Sequence, residues 1–530
     1  MATNYAQHVS TKQTNQKDKI PGTDQIENSE GGYVYQIDKW SQLQRFLILG
    51  CAGGSYYAND HKLVQENADI VLQCLKEDSA RVIEVAVQIS DEGRALSNDP
   101  AIFVMALALT HADVEGRRAS ADNLYKVCRI GTHIFTFASY IDELRSWGKL
   151  VRRAVSNFYL TKDFEQLLYQ ITKYPQRGGW SHRNVLLLAH VKSEGSQADA
   201  IKFAAKGYSS DLEGKSSYLD AVMKVSDNSI TDAQISKLIV DNKLPREVIP
   251  TEKLNSPVIW DALFQHMPLT ALIRNLNKLT AVGVLKEGSF NSLKMLRESL
   301  LNEKFLKKSR IHPISLLTAL KVYSKGQGIK GSLTWNPVPQ VKDYLDEAFY
   351  LSFSTIEPTG KNYLLGIDVS GSMSCSCSGI LTCAEISAVM AMVTARVEQN
   401  YVIKGFSGEF RDLGITPKQS LLEVMKRVQN LIFGATDCSL PMQFAEKNKI
   451  DIDTFCVYTD NETYYGDIHP SQALKRYRKV MNKPEAKLAV FGVASNKFSI
   501  ADPKDPGMMD FVGFDPSAPA VLSDFTLGKI

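Results

Sequence analysis

Tyr363-Leu364-Leu365-Gly366-Ile367-Asp368-Val369-Ser370-Gly371-Ser372 divides the chain between two architectures. The run 363–369 is almost wholly apolar, which suits a strand buried on both faces of a sheet. Downstream the pattern predicts a helix over 381–398 and a strand over 401–406. A helix over 419–431, a strand over 454–459, a helix over 470–481 and a strand over 487–493 follow. Strands alternating with helices indicate a doubly wound parallel sheet, an α/β Rossmann-like layer structure. The texture changes at Glu357-Pro358-Thr359-Gly360.

Upstream, residues 36–348 carry a helical period. Apolar residues recur at three and four spacings, as in Ile70, Leu72 and Leu75 or in Val82, Ile83, Val85 and Val87. Breakers punctuate the pattern at Asn98-Asp99-Pro100, Gly178-Gly179, Pro245, Pro268 and Pro313. Only 33–37 alternates like a strand. Helices joined by short turns over this length predict stacked helix pairs, an all-α helical-repeat array. No repeat period is visible in the sequence, so the array rests on helix number and spacing alone.

At about 150 residues per domain, 530 residues suggest roughly three domains; the two textures reduce this to two. A hydrophobic share of 44% and a charged share of 22% exclude wholesale disorder. Sixty-one Lys and Arg against 58 Asp and Glu leave +3, which excludes a polycation. The charge is uneven. Residues 121–190 hold ten basic and five acidic side chains, and residues 271–335 hold twelve and three. Two basic blocks with interleaved aromatics and amides point to a polyanion surface. No run reaches the ~18 apolar residues of a membrane span, the polar N-terminus shows no secretory signal, and eight scattered cysteines form no disulfide framework. The expectation is a reduced, cytoplasmic protein.

The turn after 363–369 carries chemistry. Asp368, Ser370 and Ser372 stand at i, i+2 and i+4, where an open α/β sheet binds its ligands beyond the carboxyl ends of its strands. Thr436-Asp437 and Thr459-Asp460 fall on two further loops of that edge. Oxygen donors from three loops suit a hard divalent cation.

This half resembles a von Willebrand factor A domain, whose metal-ion-dependent adhesion site has the pattern D-x-S-x-S…T…D. The resemblance implies direct coordination by Ser370, Ser372 and Thr436, with Asp368 and Asp460 reaching the ion through water. Mg²⁺ is the expected ion, with Mn²⁺ or Ca²⁺ as substitutes, and one position is left for an acidic group of a partner. The whole chain resembles the Ro 60 kDa autoantigen family, with a texture nearer its bacterial members. The strings that carry the likeness include Gly53-Gly54-Ser55-Tyr56-Tyr57, Gln176-Arg177 with Gly179-Trp180-Ser181-His182, and Met267-Pro268-Leu269-Thr270-Ala271-Leu272-Ile273-Arg274. Tyr458-Thr459-Asp460-Asn461-Glu462-Thr463 extends it into the A domain. It implies a flexible segment over 1–30, a TROVE ring of HEAT-like repeats over 31–360 and an A domain over 361–530.

Proteins of that family bind small Y-type RNAs and single-stranded 3′ ends of misfolded non-coding RNAs. The resemblance thus implies RNA quality control by a monomer without catalysis of its own, beside an exoribonuclease such as polynucleotide phosphorylase. It associates Lys173, Arg177 and His190 with RNA contact. Charge density adds Arg129, Arg152, Arg153, Arg274, Lys278, Lys307, Lys308, Arg310 and Lys325. The rival reading is a metal-dependent protein–protein adhesion scaffold.

Plainer roles stand beside these. Pro175 leaves open whether Lys173 and Arg177 share a helix face or flank a turn. His190 could close a helix end, and His312 before Pro313 reads as a cap. Gly326, Gly328 and Gly331 lack the preceding strand of a phosphate loop and read as a turn. Cys375, Cys377 and Cys383 lack a fourth zinc ligand nearby and read as free thiols. No Walker, GxSxG or HExxH motif is present.

Overall fold

The computed structural model describes residues 5–50, 60–144, 147–227, 229–329, 331–353, 356–376, 380–429, 431 and 434–530. Cys377 and the string Gly53-Gly54-Ser55-Tyr56-Tyr57 lie outside them. Eleven strands occur among these residues: β1 (Ile26–Glu27), β2 (Tyr33–Gln36), β3 (Gln176–Arg177), β4 (Trp180–Ser181), β5 (Asn362–Asp368), β6 (Asn400–Phe406), β7 (Phe410–Arg411), β8 (Thr454–Thr459), β9 (Lys487–Gly492), β10 (Phe498–Ser499) and β11 (Met508–Val512).

From Lys39–Leu49 to Pro339–Leu351 the only strands among the described residues are those of the hairpin β3–β4, and the other elements are helices. Helices pack on their sequence neighbours, as Asp99–His111 on Val114–Val127, and on the helix after next. Ser79–Glu92 lies on Val114–Val127, which lies on Lys149–Leu160, which lies on His182–Ala189, while Asp99–His111 lies on Gly131–Leu144. That is the contact pattern of stacked helix pairs. Local chemistry starts the helices: Asp113 accepts from Gly116 N, and Asp163 and Gln166 form a reciprocal capping box. His312 caps Pro313–Lys325 by accepting from Ile314 N, as its place before Pro313 suggests.

The array closes on itself. Arg310 donates through Nε to Asp91 O and through Nη2 to Asp91 Oδ1, both at 2.5 Å, across 219 positions of sequence. Gly93 permits the approach: it has φ 70°, and a Cβ there would stand 2.8 Å from Arg310 Cβ.

The C-terminal unit is a six-stranded sheet of order β11-β9-β8-β5-β6-β7, parallel except for β7. The predicted strand over 454–459 is observed residue for residue, and 363–369 is β5 shifted by one. The helix Cys383–Val397 is buried almost throughout, between the sheet and the helical array. Charged pairs also join the two units. The buried Arg45 reaches Asp510 Oδ1 at 2.5 Å and Asn496 Oδ1 at 2.7 Å, Arg94 grips Asp515 with Nε and Nη2, and Lys321 meets the buried Glu385 at 2.7 Å.

Three expectations are corrected. The segment 1–30 is not a loose tail where it is described. β1 pairs with β2, and β2 pairs with β10 of the A domain, so the segment is anchored on that side. A hairpin interrupts the helical half at 176–181, because Gly178 and Gly179 both take positive φ and turn the chain within two residues. Cys383 is disulfide-bonded rather than free, and Cys375 Sγ stands 3.2 Å from its sulfur.

Candidate metal centre and nucleic-acid interface

β5 and β8 are adjacent parallel strands, so their carboxyl ends deliver Asp368 and Asp460 side by side. From β5 the chain runs to β6 on one side and returns as β8 on the other, which opens a crevice at that edge. Asp368, Ser370, Ser372, Thr436 and Asp460 are all buried there. Ser370 N donates to Asp368 Oδ1 at 2.9 Å, Thr459 Oγ1 donates to Asp368 Oδ2 at 2.6 Å, and the hydroxyls of Ser370 and Ser372 are 3.2 Å apart. Thr436 sits in the second loop, and its carbonyl accepts from Tyr464 N and Tyr465 N of the third.

The electrostatics are lopsided. Burial, then the charge of Asp460, pushes the Asp368 carboxyl up. Burial also raises Asp460, and burial with the Asp460 charge lifts Glu462 to about 8. Among the described residues, no cationic side chain is among the main groups acting on these three acids. A buried carboxylate without a counter-charge costs several kcal/mol. Convergent hydroxyls and carboxylates with negative charge suit a hard divalent cation, which would supply positive charge there.

The twelve basic-side candidates separate in space. Lys173 ends the helix Phe164–Lys173 and Arg177 lies in β3, so the pair flanks a turn. The Lys173 ammonium bonds Tyr169 Oη at 2.7 Å and lies 4.9 Å and 5.5 Å from the ring centres of Tyr169 and Tyr174. Arg177 is exposed and pairs across the hairpin with Trp180, whose ring centre is 6.0 Å from that of Trp147. His190 is an exposed helix cap with φ 51°.

Arg129 N donates to His133 Nδ1 at 3.4 Å, and the strand carrying Arg177 packs on the helix that carries His133. Burial, then the Arg129 charge, with a smaller contribution from Arg177, holds that imidazole down at about 4. Burial, then the charge of Arg310, lowers the Arg129 pKa in turn. Arg129 also donates to Ser90 Oγ and Lys126 O at 2.9 Å, and Arg310 is committed to Asp91. The rest lie on separate helices. Arg152 and Arg153 are on Lys149–Leu160, with Arg153 paired to Asp122 at 2.6 Å. Arg274 and Lys278 are on Leu269–Ala281, with Lys278 bonded to Asn255. Lys307 pairs with Glu303 one turn away, and Lys308 and Lys325 are exposed.

Sequence reasoning overlooked Trp147, Tyr169 and the N-terminal residues around the metal loops. Trp147 and Tyr169 read as ordinary core positions in a helical period. Gln16 and Asn28, in a polar stretch, show no periodicity that would mark them as buried.

Comparison with known proteins agrees with this architecture. The TROVE domain model matches residues 26–243 and 236–322, and the Ro60 vWA domain model matches residues 362–526. The chain is 38% identical over 512 residues to the RNA-binding protein RO60 of Deinococcus radiodurans, covering 96% of each. It is 35% identical over 586 residues to the RNA-binding protein RO60 of Caenorhabditis elegans, covering 96% of this chain and 90% of that one. The crystal structure of the Deinococcus radiodurans Ro protein superposes with a TM-score of 0.69 at 37% identity, covering 93% of this chain and all of that one. A closed array of helix pairs joined to an A domain, matched over nearly its whole length, makes this chain a member of the Ro60 family.

Proposed function

We propose that this chain is an RNA-binding protein whose helical array takes structured non-coding RNA, of the Y type among others, by the basic surface around Lys173 and Arg177. The observation that carries the reading is the exposed Arg177 on its hairpin, with Lys173 between two tyrosines and a tryptophan pair alongside. Cations neutralise phosphates without regard to sequence, and half-exposed rings stack on unpaired bases. That both RO60 relatives are named RNA-binding proteins supports the same reading.

In this reading the A domain holds Mg²⁺ through Ser370, Ser372 and Thr436, with Asp368 and Asp460 behind them. The ion would offer a coordination position to an acidic group of a partner. The chain binds and presents RNA rather than cutting it, works as a monomer in the cytoplasm, and hands misfolded RNA with a single-stranded 3′ end to an exoribonuclease. No helix among the described residues is long and apolar enough to cross a membrane.

Gel-shift titration with a structured RNA bearing a single-stranded 3′ tail tests the proposal. Replacing Lys173 and Arg177 together by alanine should weaken binding at least about tenfold and lower the salt slope by about 1–2. Unchanged affinity and slope would remove this surface from the account.

A further inference from the structure

We propose that the N-terminal segment is a working part of the metal centre, with Gln16 as the positioning residue that locks the second metal loop to the third. The inference rests on reading Asp368, Ser370, Ser372, Thr436 and Asp460 as a cation site. Residues 460–469, which carry Asp460, contain no helix or strand. Two backbone hydrogen bonds, from Tyr464 N and Tyr465 N to Thr436 O, tie it to the second loop, and the rest of its anchoring there depends on side chains.

Gln16 supplies them. It is fully buried, and every hydrogen bond of its amide goes to these loops or their base. Nε2 donates to Asp437 Oδ1, next to Thr436, at 2.7 Å and to Ile468 O at 2.8 Å. Oε1 accepts from Thr463 Oγ1 at 2.5 Å, and Thr463 Oγ1 accepts from Cys438 N at 3.0 Å. Gln16 N donates to Gly466 O at 2.9 Å. One amide thus spans both loops from more than 400 positions away in sequence.

The rest of the segment continues the clamp. Asn28 Nδ2 donates to Thr463 O at 2.8 Å, and Ser29 N donates to Glu462 Oε2 at 2.8 Å. Glu462 N in turn donates to Asp460 Oδ1 at 3.2 Å. A Cβ on Gly32 would lie 1.9 Å from Thr463 O, so the backbone itself is pressed against the loop. Groups behind metal ligands fix their orientation, and losing one typically lowers affinity 10–100-fold.

Mn²⁺ titration of the full chain, followed by electron paramagnetic resonance of the free ion, tests this beside metal-free melting. Gln16→Met keeps the length and removes the hydrogen bonds, and should raise the Mn²⁺ Kd about tenfold or more. Tyr35→Phe, which loses only a bond to Ser471 away from these loops, should lower the melting temperature and leave Kd unchanged. If Gln16→Met does not fold, Thr463→Val should raise Kd in the same way while Thr463→Ser keeps the parent value. A Kd within twofold of the parent for Gln16→Met or Thr463→Val, with lowered melting alone, reduces the segment to a structural plug and overturns the proposal. Absence of saturable Mn²⁺ binding in the parent defeats the cation reading itself.

Discussion

Arg45→Ala is expected to lower the free energy of unfolding by about 3–5 kcal/mol, the cost of breaking a buried ion pair from one side. Arg45 lies in the first helix of the array, yet its guanidinium partners among the described residues belong to the A domain: Asp510 Oδ1, Asn496 Oδ1, Asn496 O and Phe498 O. Its side chain is 1% exposed, so water cannot replace what is lost. Removing it takes the counter-charge from the Asp510 carboxylate and the donor from three further acceptors at the joint between the units. Urea unfolding followed by circular dichroism measures the loss. Alanine variants of Lys307 and Glu303, an exposed pair one helical turn apart, should cost well under 1 kcal/mol. A similarly small cost at Arg45 would mean that the two units do not depend on this joint.

The second large effect concerns the metal edge and changes sign with conditions. Saturating Mg²⁺ at about a hundred times Kd adds roughly 2.7 kcal/mol to the parent, a rise of about 5–10 °C in the melting of a unit this size. Asp460→Asn should abolish that rise. Without metal the same variant should melt no lower than the parent, because Asp368 and Asp460 are buried together and each opposes the other's charge. Ser370→Ala should also lose the Mg²⁺ response, but it gains nothing without metal, since it removes no charge. Differential scanning calorimetry in Mg²⁺ and in chelator distinguishes these outcomes. A parent indifferent to Mg²⁺, or an Asp460→Asn that still responds, would contradict the cation site.

The α/β half was legible because buried parallel strands appear as continuous apolar runs. β8 and β9 match their runs closely, and Asp368, Thr436 and Asp460 were found because each follows such a strand or a marked glycine turn. The helical half was legible as helices but not as a closed array. Closure depends on single contacts such as Arg310 with Asp91, which leave no trace in a local period. The hairpin at 176–181 was missed because strands of two residues are too short to show alternation, although its Gly-Gly turn was visible as a breaker. The N-terminal segment was misjudged because composition reports average polarity. Gln16 and Asn28 are buried polar residues whose partners lie at Asp437, Thr463 and Ile468, beyond the reach of pattern. Charge counting located both basic blocks, yet only the folded chain distinguishes Arg177, which is exposed, from Arg310, which is held by Asp91.

Ultraviolet crosslinking in native cells tests the central claim most directly, with the bound RNA sequenced and the crosslinked peptides identified by mass spectrometry. The account predicts structured non-coding RNA, joined to peptides containing Trp147, Tyr174, Trp180 or the Arg129 turn. Crosslinks confined to the A domain, or the absence of RNA on the purified protein, would contradict it.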